Sequence, residues 1–167
     1  MSNHPELVEK LRSSSEEFLT AAEGIAEAQA RAVPAAGGWS ILECVEHIVV
    51  AETMLFERLS VGRTPLSAPL ARNLEAAILG RGADRGRKFD APDTARPTGR
   101  FATLEEALAA FRNVRAGCIA WVESSAEDLR GCSAAHPLFG PVTGYEMALM
   151  IAMHTRRHAL QIRELRS

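Results

Sequence analysis

Three helix-start signals of one kind divide this chain of 167 residues. Ser40, Thr103 and Thr143 are each followed three residues later by a glutamate, which is the S/T-x-x-E pattern of the capping box. In that box the hydroxyl and the carboxylate each accept a hydrogen bond from a backbone N–H that the new helix leaves free. Apolar residues recur at helical spacing after each box. We therefore predict helices over 41–60, 104–124 and 144–166.

A further helix is predicted over 5–32. Pro5 suits its first turn, and apolar residues recur at helical spacing from Leu7 to Ile25. Pro34 and the Gly37-Gly38 pair are stop signals. Four helices with one long connection between the second and third are typical of an all-α four-helix bundle, here expected to form one domain over 1–167.

The connections carry weaker signals. The long one could hold a short helix near 69–79, and its remainder over 80–99 is rich in Gly, Arg and Pro. No convincing alternation of apolar and polar residues predicts a strand. The final connection, 131–141, is predicted to be a turn-rich loop.

Composition limits the classes of function. Apolar residues make up 47% and charged residues 24%, which is typical of a soluble globular protein. No apolar run approaches the roughly 18 residues that cross a bilayer, and no secretory segment opens the chain, so we expect a cytoplasmic protein without membrane contact. The net charge is -2, so nucleic acid is not an expected partner. Asp84 lies inside the basic cluster of 81–88 and Asp90 lies beside it, which favours a solvated loop over a binding patch.

Two histidines of the last predicted helix provide the strongest functional signal. His154 and His158 are four residues apart and lie on the same stripe as Met147, Met150 and Ile151. Both imidazoles should therefore point into the bundle, where unpartnered nitrogens are costly. One divalent cation would satisfy both rings, and helical zinc sites use this spacing. The residues between them, Thr155 to Arg157, provide no general base.

His47 is the third candidate ligand. It lies on an apolar face of the second predicted helix, with Cys44, Val50 and Met54. Three inward histidines leave an open coordination position, which is typical of a catalytic metal. Zinc or nickel suits this set best, and iron, cobalt or manganese remain alternatives. A metal-free bundle, in which the buried imidazoles bond to each other or to water, also stays open.

The remaining candidates have a simpler explanation. Glu43 could orient an imidazole without binding the metal itself, but its place in the Ser40 capping box accounts for it. Cys44 could add a thiolate ligand, but packing against Trp39 is favoured. Cys118 should be a core residue, and the odd set of three cysteines without a CxxC pair predicts no disulfide framework. His4, near the terminus, and His136, in a loop, are not expected to bind metal.

Several motifs resemble those of the DinB/YfiT-like superfamily. Residues 39–47 are similar to its W-S-x-x-E-x-x-x-H signature, residues 136–140 to its HPxFG loop, and residues 154–162 to its HxxRHxxQI helix. Ala91-Pro92 and Pro97 are similar to a proline pattern before its third helix. The resemblance covers the chain from about residue 5 to the C-terminus.

The resemblance implies an up-down-down-up bundle, often homodimeric, with a metal held by His47, His154 and His158. Members include metal-dependent hydrolases, enzymes that transfer low-molecular-weight thiols, and isomerases that use such thiols. The first expectation is therefore an enzyme whose metal activates a thiol or water towards a small-molecule substrate. The alternative is a non-catalytic, metal-stabilised stress-response dimer.

Overall fold

The computed structural model describes residues 3–167, which contain six α-helices, three short β-strands and two short 3-10 turns. The helices are α1 (Pro5–Ala22), α2 (Glu27–Arg31), α3 (Ile41–Ser60), α4 (Glu75–Arg81), α5 (Leu104–Ser124) and α6 (Gly144–Arg166). The strands are β1 (Thr64–Pro65), β2 (Cys132–His136) and β3 (Gly140–Thr143). The three helices predicted from capping boxes are confirmed at both ends.

The caps form as the motif requires in two of three cases. Ser40 and Thr143 each accept a hydrogen bond from the N–H of the glutamate three residues on, and each glutamate accepts one from the cap N–H. At α5 the Thr103 hydroxyl accepts from the Glu106 N–H, but the Glu106 carboxylate accepts from the Ala102 N–H. All three devices pair backbone donors that the first turn of a helix leaves free.

The single helix predicted over 5–32 is wrong in its second half. The chain leaves the helix after Ala22, and Gly24 takes φ +69°, a left-handed conformation that glycine adopts without strain. A short separate helix, α2, follows after this turn. The apolar pattern therefore continues past Gly24, although the helix itself does not.

The direction of α1 follows from contacts at its two ends. The Asn3 amide donates to the Ala126 carbonyl just beyond the end of α5, at 2.7 Å, so these helices run antiparallel. Arg166, at the end of α6, donates to the Ala21 carbonyl at 2.8 Å, so α1 and α6 run parallel.

The direction of α3 completes the topology. His47, early in α3, lies against His158, late in α6, with ring centroids 4.9 Å apart, so these helices run antiparallel. Phe56 and Trp121, both late in their helices, lie 6.2 Å apart, so α3 and α5 run parallel. The order α1, α3, α5, α6 is therefore up-down-down-up, as the resemblance implied.

The loop predicted over 131–141 is wrong, because most of this segment is a β-hairpin. β2 pairs antiparallel with β3, His136 lies opposite Gly140, and β1 pairs antiparallel with the other side of β2. Serine and alanine dominate β2 and favour strands weakly, so pairing with its neighbours, and not propensity, produces this strand. The hairpin leads directly into α6, which carries two of the three candidate ligands.

The core has two apolar clusters with a polar layer between them. Arg115 of α5 is 2% exposed and forms a two-pronged ion pair with Glu52 of α3, at 2.6 and 2.7 Å. The same guanidinium donates to the Leu11 carbonyl and the Ser14 hydroxyl of α1 and to the Thr155 hydroxyl of α6. The buried Arg115 side chain, itself part of α5, thus forms hydrogen bonds with the other three long helices near their midpoints.

The long connection between α3 and α5 folds back over the bundle. Its short helix, predicted near 69–79, forms at 75–81 as α4, which packs on α6. A 3-10 turn at Asp93–Ala95 packs on α3. Within residues 3–167, no helix has both the length and the apolar character that crossing a membrane requires.

Candidate metal centre

The three predicted histidines come together between α3 and α6. The Nε2 atom of His154 lies 3.2 Å from that of His47 and 3.2 Å from that of His158. One nitrogen from each ring lies within 4.8 Å of the other two. His47 and His158 are buried, whereas His154 is partly exposed, so the group reaches solvent beside His154.

These separations fit ligands of one metal ion. Two imidazole nitrogens bound to zinc at about 2.0–2.1 Å and at a tetrahedral angle lie about 3.3 Å apart. The two measured contacts of His154 are close to that value. The trio could therefore hold a divalent ion with little rearrangement.

Hydrogen bonding alone cannot satisfy both contacts of His154. The Ala95 carbonyl lies 2.7 Å from His47 Nδ1 and can only accept, so a neutral His47 carries its proton on Nδ1 and points an Nε2 lone pair at His154. If His154 Nε2 donates its single hydrogen to His47, it has no in-plane lone pair left for His158. If it does not donate, two lone pairs face each other across 3.2 Å. A cation at the centre removes this conflict.

The environment keeps all three rings neutral, as ligation requires. Burial lowers the pKa of His47, although the hydrogen bond to Ala95 opposes this. Desolvation of the ring lowers the pKa of His154 to about 3, although the residue as a whole is partly exposed; His47, His136 and Arg157, when charged, act in the same direction. Burial also holds the pKa of His158 well below its ordinary value, with His154, His47 and Arg157 acting in the same direction.

The surroundings of His158 and His47 are consistent with a functional site. His158 Nδ1 is buried and has no hydrogen-bond partner within the described part of the chain. Such orphaned polar atoms are rare in folded proteins and call for an explanation. Trp39 forms one wall, with its ring centroid 4.8 Å from that of His47 and 6.5 Å from that of His158.

The sequence analysis did not identify one buried carboxylate next to His47, that of Glu46. Glu46 is 1% exposed and accepts hydrogen bonds from the N–H groups of Thr98, Gly99 and Arg100 and from the Arg100 guanidinium. Burial alone would raise its pKa, but these hydrogen bonds hold the pKa below its usual value. Glu46 thereby fixes the segment whose Ala95 carbonyl orients His47. The only signal in the sequence was a carboxylate between Val45 and the candidate ligand His47.

The other candidates near His47 have structural roles. Glu43 completes the capping box, accepting from the Ser40 N–H at 2.8 Å, as favoured from the sequence. Cys44 has no exposed surface, and burial raises the pKa of its thiol to about 12, so it remains protonated within the apolar core. It is not part of the metal-competent group. All three cysteines are buried and free, which is consistent with the prediction of no disulfide framework.

The two remaining histidines lie outside the trio. His4 Nε2 lies 3.0 Å from the Glu127 carbonyl, beside the end of α5. His136 Nδ1 accepts from the N–H groups of Leu138 and Phe139 at the tip of the hairpin. A cavity of about 410 Å³ beside Arg130 and Glu146 lies at the opposite end of α6 and is not lined by the trio.

Fold and site together define a helical-bundle protein with a candidate three-histidine metal centre between its second and last long helices. Residues 10–162 match the sequence model of the DinB superfamily. The chain therefore belongs to the DinB superfamily, and the family expected from its motifs is confirmed.

Two proteins of Bacillus subtilis are similar to this chain. The uncharacterized protein YuaE of strain 168 is 26% identical over 147 residues, which cover 86% of each protein. The solved structure of YfiT superposes with a TM-score of 0.62 at 17% identity, covering 99% of this chain and 87% of YfiT. YfiT is described as a probable metal-dependent hydrolase with an unusual four-helix bundle topology. At this identity the match shows a shared fold.

Proposed function

We propose that this protein is a metal-dependent enzyme in which His47, His154 and His158 hold one divalent ion, zinc or nickel. The ion would activate a low-molecular-weight thiol or water towards a small-molecule substrate. The observation that carries this proposal is the spacing of the three Nε2 atoms, with two contacts of 3.2 Å that neutral imidazoles cannot both satisfy by hydrogen bonding.

The chain's own residues would prepare and orient the ligands. Ala95 holds the proton of His47 on Nδ1, which leaves Nε2 free to bind the ion. Partial exposure of His154 supports an open coordination position on that side. A bound divalent ion lowers the pKa of a thiol or water at such a position, so that the nucleophile forms at neutral pH.

The nucleophile is either water or a thiol, and a separate observation supports each. The description of YfiT as a probable metal-dependent hydrolase favours water as the nucleophile. The resemblance of the motifs to those of thiol-transferring relatives favours a thiol, and three neutral nitrogens readily accept a sulfur ligand. A panel of cellular thiols with electrophiles, run beside ester and amide substrates on metal-reconstituted protein, distinguishes the two.

The ligand assignment is tested by metal titration of matched variants. Zinc, nickel and cobalt are titrated into metal-free wild-type protein, His154→Ala and the control His4→Gln. His154→Ala should lose stoichiometric binding and turnover, whereas His4→Gln should keep one ion per chain. Stoichiometric metal binding by His154→Ala, or turnover by metal-free protein, would defeat the proposal.

A structural role for the ion is the alternative, since the ligands join α3 to α6. Thermal melts before and after chelation separate the two roles, because structural sites are strongly coupled to folding. A large loss of melting temperature, with no turnover on the panel, would identify a metal-stabilised, non-catalytic protein. Homodimerisation and cytoplasmic location stay predictions; sedimentation analysis and cell fractionation would measure them.

A further inference from the structure

We propose that Arg157 forms an anion-binding subsite beside the metal centre and binds a carboxylate of the small-molecule substrate. This inference deepens the proposed function, on which it rests for the identity of the ligand as substrate. It starts from a largely buried arginine that forms no ion pair with a carboxylate of the described residues.

Arg157 is only 8% exposed, yet it forms no ion pair with any of the described residues. One of its Nη atoms donates to the Arg87 carbonyl, and its guanidinium carbon lies 5.5 Å from the centre of the Phe89 ring. Neither partner carries a negative charge. Buried arginines are ordinarily paired, because an isolated buried charge is costly. An anion from solution would supply the missing partner.

The position of Arg157 on α6 directs it towards the candidate site. Side chains at 154, 157 and 158 lie within about 100° of one another around a helix, with position 154 in the middle. His154 is the ligand with access to solvent, and the two buried residues flank it. The Arg157 charge lowers the pKa of both His154 and His158, which is consistent with its proximity to them.

The charged groups near Arg157 leave it without an ion pair. Arg85 is neutralised by Glu164 at 3.0 Å and also donates to Gln161 at 3.3 Å. Burial and the charge of Arg85 lower the pKa of Arg157, whereas Asp84 and Glu164 oppose this at longer range. The basic segment over 81–88 contacts α6 through Arg85 and the Arg87 carbonyl. Arg81, Arg87 and Lys88 are exposed, which agrees with the interpretation as a solvated loop.

A planar guanidinium favours ligands with two parallel acceptor oxygens, and a carboxylate has this geometry. The guanidinium uses one donor for the Arg87 carbonyl. Its other N–H groups have no hydrogen-bond partner among residues 3–167 and are not fully buried, so an anion in solution can reach them. A substrate held here by a carboxylate would place its neighbouring atoms beside His154. Arg157 would then be a specificity-determining residue for acidic small molecules.

The test measures acetate binding to wild-type protein, Arg157→Gln, Arg157→Lys and the control Arg156→Gln. Arg156 is the adjacent arginine, but it is exposed and pairs with Glu17 at 3.2 Å. Binding is measured by calorimetry at constant ionic strength, with acetamide as the neutral probe of the same shape. Metal-free protein is used first, because a carboxylate can also ligate a metal ion directly.

We expect acetate, but not acetamide, to bind wild-type protein and Arg156→Gln with affinities within about twofold of each other. Arg157→Gln should bind acetate about tenfold or more weakly, since it loses charge-assisted hydrogen bonds. The acetate affinity of Arg157→Lys should lie between those of the wild-type protein and Arg157→Gln, because lysine keeps the positive charge but lacks the paired N–H donors of a guanidinium. Circular dichroism checks the fold, and Arg157→Lys decides the question if Arg157→Gln does not fold.

Three results would overturn the subsite: no acetate binding by wild-type protein, unchanged affinity in the Arg157 variants, or equal weakening in Arg156→Gln. Cobalt titration of the same proteins keeps the two proposals apart. If cobalt binds and acetate affinity does not depend on Arg157, the subsite is wrong and the metal centre stands. If acetate binding depends on Arg157 but no metal binds, the subsite stands and the proposed metal chemistry is wrong.

Discussion

Replacing Glu46 by glutamine should weaken metal binding, although Glu46 is not itself a ligand. Its carboxylate accepts from the Thr98 N–H at 2.6 Å, from the Gly99 N–H at 3.1 Å and from the Arg100 N–H at 3.2 Å. It also forms an ion pair with the Arg100 guanidinium at 2.8 Å. A glutamine side chain keeps one acceptor oxygen and turns an NH₂ group towards donors that the second oxygen had satisfied.

The size of the effect follows from two steps. Losing hydrogen bonds to a charged acceptor costs about 1.5–3 kcal/mol, which is enough to loosen the segment over 96–100. That segment continues directly from Ala95, whose carbonyl accepts from His47 Nδ1 at 2.7 Å. Removing such an outer partner of a metal-bound histidine typically weakens metal affinity about 10- to 100-fold, or about 1.4–2.8 kcal/mol.

The assay is a competition titration of zinc against a chromophoric chelator, with Glu43→Gln as the matched control. Glu43 lies one turn earlier on α3, and glutamine can replace glutamate in a capping box. Glu43→Gln should therefore keep the wild-type zinc affinity, whereas Glu46→Gln should bind zinc at least about tenfold more weakly. Limited proteolysis should show faster cleavage near Gly99 in Glu46→Gln alone.

Two results would refute this reasoning. Wild-type zinc affinity in Glu46→Gln, with faster cleavage near Gly99, would mean that the loop does not orient His47. Equal loss of affinity in Glu43→Gln would point to general weakening of the start of α3. Faster cleavage combined with weaker zinc binding in Glu46→Gln alone is the expected outcome.

Two further predictions concern the polar layer and the hairpin. Arg115→Met should lower the free energy of unfolding by about 3–5 kcal/mol and the melting temperature by roughly 6–20 °C, because it leaves Glu52 buried and unpaired. The double variant with Glu52→Leu should recover much of the lost stability. An unchanged melting temperature in Arg115→Met would contradict the prediction. Burial, together with the Arg58 charge, lowers the pKa of His136 to about 4, so its contribution to stability is complete above its unfolded pKa of about 6.5 and decreases as the pH falls towards 4. His136→Asn keeps an acceptor but cannot titrate, so the pH dependence of its unfolding free energy should be shallower over this range by up to about 1.4 kcal/mol per pH unit; equal slopes would contradict this.

The long helices were predictable because their signals are local. A capping box and the apolar residues that follow it lie within a few turns of each other, so α3, α5 and α6 begin and end where the sequence predicts. The break after Ala22 was harder to predict, because an isolated glycine within an apolar pattern is compatible with a continuing helix. The structure shows the end of the helix in the extended backbone of Glu23 and the left-handed conformation of Gly24.

The pairing of β1 with the hairpin could not be predicted for a different reason. The pairing of β2 with β1 joins segments that are almost 70 residues apart in sequence, as the Thr64–Ser133 pair shows. Alanine and serine in β2 have little strand propensity of their own, and packing against neighbouring elements determines their conformation. A local pattern in the sequence contains no information of this kind.

Residues of the candidate site also differ in whether a local sequence pattern could identify them. His154 and His158 were identifiable because one helix places both on one face, and His47 because it interrupts an apolar face of another helix. Glu46 and Arg157 were not identified, since their roles depend on backbone groups of the long connection at Thr98, Gly99 and Arg87. A crossover of that length brings together residues that no helical period relates.

The buried layer below the site explains how two helices can hold the trio at fixed spacing. Thr155 follows His154 directly, and its hydroxyl accepts from Arg115 at 2.8 Å. The same guanidinium binds Glu52, which lies five residues after His47 on α3. A slide of α6 along α3 by one residue, about 1.5 Å, would break the contact with Thr155 and also separate the imidazoles. The register that satisfies the buried cation is therefore the register that brings the three histidines together, and the stability of the bundle and the geometry of the site depend on the same contacts.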